Sequence, residues 1–227
     1  MANIPNVILV HGAWADGSSW AKVIPLLQAQ ALSVTAVQLP LTSFENDLAT
    51  ARRAIALVDG PIVLVGHSYG GAVITETGTD PNVAALVYIA AFAPDVGQSA
   101  GSLGASVSPA PMAEHVCPDK EGYLKLTAAG IKENFAQDLT DVEKNVLFAT
   151  QAPTSGASLG GNVTAAAWKS KPSAYLVATR DQAIRPELQR TMSKTIRAKT
   201  IEVASSHVAM LSHPQETADL IIEAVSR

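Results

Sequence analysis

The run Pro61-Ile62-Val63-Leu64-Val65-Gly66-His67-Ser68-Tyr69-Gly70-Gly71 constrains this chain more than any other part of it. An apolar, β-rich stretch of strand length ends in Gly-x-Ser-x-Gly, and a helix-compatible stretch follows. Gly/Ser turns between strand and helix are common, but this strand-to-helix context makes the pentapeptide a nucleophile-elbow candidate. The serine is expected in a strained backbone conformation at the tip of a sharp turn, with its Oγ raised above the sheet. Glycines two residues either side let strand and helix approach closely. The amide of Tyr69 falls at a helix N-terminus, facing the place where an oxyanion would form.

The pattern around this turn alternates strand and helix. Val7 to Val10 is a short continuous apolar run, as in a strand covered on both faces. Trp20 to Gln30 reads as a helix in which Pro25 marks a late start or a kink. Ser33 to Val37 reads as a strand, and Asp47 to Val58 as a helix with Leu48, Ala51, Ile55 and Val58 on one face. Ile62 to Val65 and Ala84 to Ala91 are further strands. Later come Ala174 to Ala178, Pro186 to Lys194, Thr200 to Val203 and the helix Pro214 to Val225. With right-handed crossovers this order predicts an α/β fold, a doubly wound, mostly parallel sheet of six strands.

Residues 1–94 and 172–227 make up that core, and 95–171 interrupt it. The interruption opens on a Gly/Ser/Ala/Pro-rich stretch, Gly97 to Pro111, and continues with two helical patterns. Thr140-Asp141-Val142-Glu143 has the form of a capping box at the start of the second, and Gln151 to Gly161 reads as loop. An insertion after a strand's carboxyl end lies over the crevice where open α/β sheets bind ligands, so it is expected to act as a helical cap.

A length of 227 residues, 48% of them hydrophobic and 16% charged, suits one substantial core and argues against disorder. The net charge of -4, with no basic cluster, argues against nucleic acid as a partner. The single Cys117 rules out an intramolecular disulfide and is compatible with a reducing compartment. The opening Met1-Ala2-Asn3-Ile4-Pro5 lacks a signal-peptide pattern, and no apolar run is long enough to span a bilayer. No membrane partner and a cytoplasmic location are therefore expected; a homodimer is left open.

A serine hydroxyl is a weak nucleophile unless a carboxylate-oriented base takes its proton. On an elbow of this kind the partners follow in the order acid, then histidine, each after a strand. Asp181 follows Tyr175-Leu176-Val177-Ala178, and His207 follows Ile201-Glu202-Val203 just before the final helix. Either residue alone could be a turn aspartate or a satisfied loop histidine, but order and placement join them to Ser68. After the first strand, His11-Gly12-Ala13-Trp14 can present the Ala13 amide as a second oxyanion donor opposite Tyr69. His11 is expected to organise that loop, His67 to be structural, and His213 to mark a helix start. His115, Cys117 and Asp119 invite a metal reading but lack paired ligand spacing, so no metal is expected.

Val10-His11-Gly12-Ala13-Trp14, the elbow Gly66 to Gly71, Asp181-Gln182-Ala183-Ile184-Arg185-Pro186 and Ser206-His207-Val208 together resemble an α/β-hydrolase. The branch is similar to small bacterial esterases related to the plant methyl-ester esterases and hydroxynitrile lyases. The resemblance covers nearly the whole chain and is weakest in the cap. It implies a triad of Ser68, Asp181 and His207, a mostly helical cap, no cofactor and a small-molecule ester substrate. The lyases of this branch carry a threonine after the first-loop histidine and a lysine after the catalytic one. Here those positions are Gly12 and Val208, so no ammonium is available for a departing cyanide. Haloalkane dehalogenases of this fold use an aspartate at the place of Ser68. The sequence therefore favours ester hydrolysis through an acyl-enzyme. The alternatives are a hydroxynitrile lyase, other cofactor-free chemistry such as a perhydrolase, or a non-catalytic small-molecule receptor.

Overall fold

The computed structural model describes residues 6–226, so the reading of Met1 to Pro5 lies outside the described residues. In chain order the core opens with β1 (Asn6–Val10), α1 (Ile24–Gln28), β2 (Ser33–Val37), α2 (Phe44–Ala56), β3 (Ile62–His67), α3 (Gly70–Thr77) and β4 (Val83–Ile89). The insertion contributes α4 (Ala100–Ala105), β5 (Val116–Pro118), β6 (Tyr123–Leu126), α5 (Ala128–Gly130), α6 (Asp141–Thr150), β7 (Thr154–Ser155) and α7 (Gly156–Gly160). The chain returns to the core with β8 (Ser173–Ala178), α8 (Pro186–Thr195), β9 (Lys199–Val203), α9 (Ala209–Ser212) and α10 (Pro214–Val225).

Six strands form one sheet in the order β2-β1-β3-β4-β8-β9, with every neighbour pair parallel. The continuous apolar runs behave as their composition demands: β1, β3 and β8 are buried along their whole length. The edge strands β2 and β9 carry most of the exposed positions. The direction of strand addition reverses between β1 and β3, and their register pairs Val10 with Gly66. The loops leaving these two carboxyl ends therefore emerge side by side at the switch point, where a sheet of this kind forms its crevice.

Two local readings shift. The helix expected over Trp20 to Gln30 is a 3-10 turn, Gly17–Trp20, followed by the short α1. Pro25 sits in the first turn of α1, where its missing N–H costs nothing, so the late start is the outcome. The α2 helix begins at Phe44 because Ser43 caps it, accepting from the Asn46 amide, with Glu45 and Asp47 in the first turn.

The insertion has the expected helices, including α6 with both halves of the Thr140–Glu143 capping box in place. It also holds a three-stranded antiparallel sheet, β5-β6-β7, which the sequence reading did not include. Its strands are too short for a period-two pattern to be read. A small α4 lies within the stretch expected to be irregular, started by reciprocal Ser99–Ser102 hydrogen bonds. On leaving the insertion the chain is pinned to α3: the carboxylate of Glu76 accepts from the amides of Thr164 and Ala165 and from the Thr164 hydroxyl. No described helix is long and apolar enough to cross a membrane.

Candidate active site

Ser68 leaves β3 with φ +52°, in the left-handed region that non-glycine residues rarely occupy. The conformation is held from three directions. The Ser68 amide donates to Ile89 O of β4, and its carbonyl accepts from the amides of Gly71 and Phe92. Glycine is required on the helix side of the turn. A Cβ on Gly70 would lie 2.5 Å from Val10 O, and one on Gly71 would lie 2.2 Å from Phe92 O. Tyr69 precedes the first residue of α3, so its N–H lies ahead of the intrahelical bonds.

Asp181 and His207 follow the carboxyl ends of β8 and β9, whose last residues, Ala178 and Val203, are register partners. The two side chains meet, with His207 Nδ1 2.6 Å from Asp181 Oδ2. Both are buried. A carboxylate only accepts, so Nδ1 carries the proton, and Nε2 of the neutral ring is left with its lone pair. The Asp181 carboxylate is itself fixed: Oδ1 accepts from the amides of Ala183 and Ile184, and Oδ2 from Gln189 Nε2 as well as from the imidazole. Gln189 in turn accepts from the Ala178 amide at the end of β8.

The His207 ring lies between the rings of His67 and Phe135, at centroid distances of 4.7 and 5.0 Å. The amide before it, Ser206 N–H, donates to Asp138 of the insertion. Gln189, Phe135 and Asp138 were not singled out from the sequence. A glutamine one helix turn after a proline and an aspartate in a loop carry no pattern of their own, and only the fold brings them here.

His11 does organise the first loop. The Leu39 amide donates to its Nε2, so the neutral ring donates from Nδ1 to Gly12 O. Burial lowers its pKa, which suits that neutral form. His67 is fully buried, and burial followed by the proximity of His207 holds its pKa well below the ordinary imidazole value. His213 stands ahead of Pro214 at the start of α10, with Nδ1 3.0 Å from Ser212 Oγ. In the insertion, His115 contacts Thr127 Oγ1 while Cys117 is exposed. No group of three potential metal ligands converges among the described residues.

Ser68, Tyr69, Ala13 and His207 all line one cavity of about 480 Å³ between the sheet's carboxyl edge and the insertion. Its remaining wall is mostly apolar: Phe92 and Leu188 from the core, α4 with Gly101 and Gly104, and Met112 and Leu159. Arg185 is the charged residue of the lining, and its guanidinium is committed to Ser108 O and Pro109 O. The sheet edge thus brings Ser68 and the Asp181-bonded His207 to one mostly apolar cavity that Ala13 and Tyr69 also line.

The chain is 27% identical to methylesterase 8 of Arabidopsis thaliana, over 96% of this chain and 88% of that protein. It superposes on the crystal structure of a pyrethroid hydrolase from Sphingobium faniae JZ-2 with a TM-score of 0.84 at 24% identity, covering 98% of each chain. Polyneuridine aldehyde esterase gives the same TM-score at 21% identity, covering 99% of this chain and 100% of that one. Residues 7–220 match the alpha/beta hydrolase family, and the chain belongs to that family.

Proposed function

We propose that this protein is a serine hydrolase that cleaves small carboxylic esters through an acyl-enzyme. The observation that carries the reading is the 2.6 Å Asp181–His207 pair, with His207 lining the same cavity as Ser68. Ser68 Oγ attacks the ester carbonyl as His207 Nε2 takes its proton. The amides of Ala13 and Tyr69 receive the negative charge that develops on the carbonyl oxygen. His207 then delivers its proton to the departing alcohol, and a water molecule activated by the same imidazole hydrolyses the acyl-enzyme. Asp181 holds the Nδ1–H tautomer throughout.

The relatives named as methylesterases support ester hydrolysis. The apolar lining favours uncharged esters with bulky apolar parts. Val208 follows His207 and is buried, so the site holds no ammonium at the position that a cyanide-releasing lyase would need.

The test is turnover of p-nitrophenyl esters by the wild type and by Ser68→Ala, together with labelling by an organophosphonate. The expected result is one adduct, at Ser68, and a loss on the order of 10⁴-fold or more in the variant. A well-folded Ser68→Ala protein with undiminished turnover would overturn the mechanism.

A further inference from the structure

Resting on that reading, we propose that Thr154 of the insertion is a positioning residue for the oxyanion loop. The small sheet thereby forms part of the apparatus that holds the Ala13 amide in place.

The peptide after Ala13 ends in the Trp14 N–H, which donates to Thr154 Oγ1 at 3.2 Å. The indole of the same residue donates through Nε1 to Leu124 O at 2.9 Å. Leu124 and Thr154 are direct partners in the β6–β7 pairing, so one rung of the insertion sheet receives both donors of Trp14. Thr154 is completely buried, and its own hydroxyl is directed at Ala152 O, which leaves oxygen lone pairs for the Trp14 amide. Its strand is tied to the core in turn, because the Ser155 amide donates to Leu41 O.

This anchorage matters because Trp14 adopts φ +56°, a conformation disfavoured for a residue with a Cβ. Nothing in Trp14 itself prefers it; the two bonds to the insertion hold it there. Without the Thr154 acceptor, the Ala13–Trp14 peptide is free to rotate toward the ordinary negative-φ region. Ala13, whose amide is one of the two proposed oxyanion donors, would lose its fixed aim. A donor that must reorganise during the reaction stabilises the developing charge less than one already aimed. The insertion therefore acts on catalysis through the backbone it braces as well as through the walls of the cavity.

The experiment compares Thr154→Val, which keeps the shape and removes the acceptor, with Thr154→Ser, which keeps the acceptor. Each is assayed on an aryl ester with active sites counted by organophosphonate titration, and each is titrated with an alkyl boronic acid that mimics the tetrahedral adduct. Trp14→Phe, which removes the indole bond to Leu124 and also trims the cavity wall that Trp14 lines, serves as a second route. It is read as the ratio of its losses on methyl- and butyl-boronic acid, so that a wall effect, which grows with the alkyl group, is separated from an oxyanion effect, which does not. The expected result for Thr154→Val is a fall in kcat per titrated site on the order of 10-fold or more, within the range for weakening one oxyanion donor. KM should change less than about 2-fold, boronate affinity should fall in parallel with kcat/KM, and Thr154→Ser should restore both. Trp14→Phe should lower boronate affinity in the same direction by a smaller factor. A Thr154→Val protein with a lower melting temperature but unchanged kcat per titrated site and unchanged boronate affinity would overturn the proposal. So would unchanged boronate affinity in Trp14→Phe if Thr154→Val does not fold. Retained turnover in Ser68→Ala would instead remove the hydrolase reading, and the positioning role with it, so the two failures are told apart by which variant shows them.

Discussion

The phenol of Tyr69 donates to Oδ2 of Asp47 at 2.7 Å, tying the residue after the candidate nucleophile to the first turn of a helix that precedes it by a whole strand. Asp47 is fully buried, and its other oxygen accepts from the Leu41 amide. Burial pushes its pKa up, and the bonds from Tyr69 and Leu41 oppose that push. Tyr69→Phe should therefore cost about 1–3 kcal/mol of unfolding free energy, because it leaves a buried carboxyl short of a donor. Ester turnover should stay within about 10-fold of wild type, since the proposed oxyanion donor is the backbone amide. Urea denaturation and an aryl-ester assay on the same preparation check both; a dead but fully stable variant would show that the phenol has a role of its own in the reaction.

Stability should fall as the solution is acidified from near neutrality. His11 and His67 both have pKa values lowered chiefly by burial, so the folded protein keeps them neutral where the unfolded chain binds protons. Below about pH 6.5 the unfolded state gains protons that the folded state refuses, so each such histidine removes about 1.4 kcal/mol per pH unit down to its folded pKa. His67 Nε2 lies 2.9 Å from His207 O, and a carbonyl accepts, so the ring is the donor. A glutamine amide can make the same bond without titrating. His67→Gln should match the wild type at pH 7.5 and lose less stability between pH 6.5 and 5, as read from urea midpoints; parallel pH curves would exclude His67 as a contributor.

Glycines in the two regions around the cavity should behave oppositely. Gly71→Ala puts a methyl group 2.2 Å from Phe92 O, a backbone atom that cannot swing aside, and should cost about 3 kcal/mol or more. At Gly104 the nearest atoms to an added Cβ are those of the Phe92 ring, at 3.8 Å. Gly104→Ala in α4 should then be neutral or gain up to about 1 kcal/mol from its helical preference. Thermal unfolding of the two variants distinguishes them, and similar losses in both would contradict the packing argument.

The wild-type protein should hydrolyse short-chain aryl esters and show negligible cleavage of mandelonitrile. Gly12→Thr with Val208→Lys would place the lyase residues at both positions, but the geometry opposes the first change. A Cβ at Gly12 would lie 2.7 Å from Ser68 Cβ, so that substitution should disable both activities by displacing the serine. Val208→Lys alone is the usable probe. Release of benzaldehyde by the wild type faster than hydrolysis of any ester tested would reverse the assignment.

The parallel sheet and the strand-end placement of Ser68 and Asp181 were legible because buried parallel strands read as unbroken apolar runs and each of these two candidates follows one. His207 follows the exposed edge strand β9 and was legible from its place in the chain order, after the acid and before the last helix. The Gly-x-Ser-x-Gly turn was legible because its glycines are forced by backbone contacts that no other residue permits. What brings support to these residues was not legible. Thr154 and Leu124 reach Trp14 only through a sheet with strands two to four residues long, beneath the length at which alternation can be seen. Asp47 read only as the first residue of a helix, and the start of α2 at Phe44 instead sets it within the first turn, where it meets Tyr69.

The pairing of β4 with β8 has a consequence for how the chain is made. These strands are neighbours in the interior of the sheet, yet the segment 90–172 separates them in sequence. At about 5–20 residues per second, synthesis of roughly eighty residues leaves the β4 rim without its mate for some 4–16 s. During that interval Val83 to Ile89, a strand with no charged side chain, is an open rim able to pair with another nascent chain. The emerging polypeptide is therefore expected to need shielding at that stage, and a chain ended at residue 172 should precipitate where the full-length protein stays dispersed.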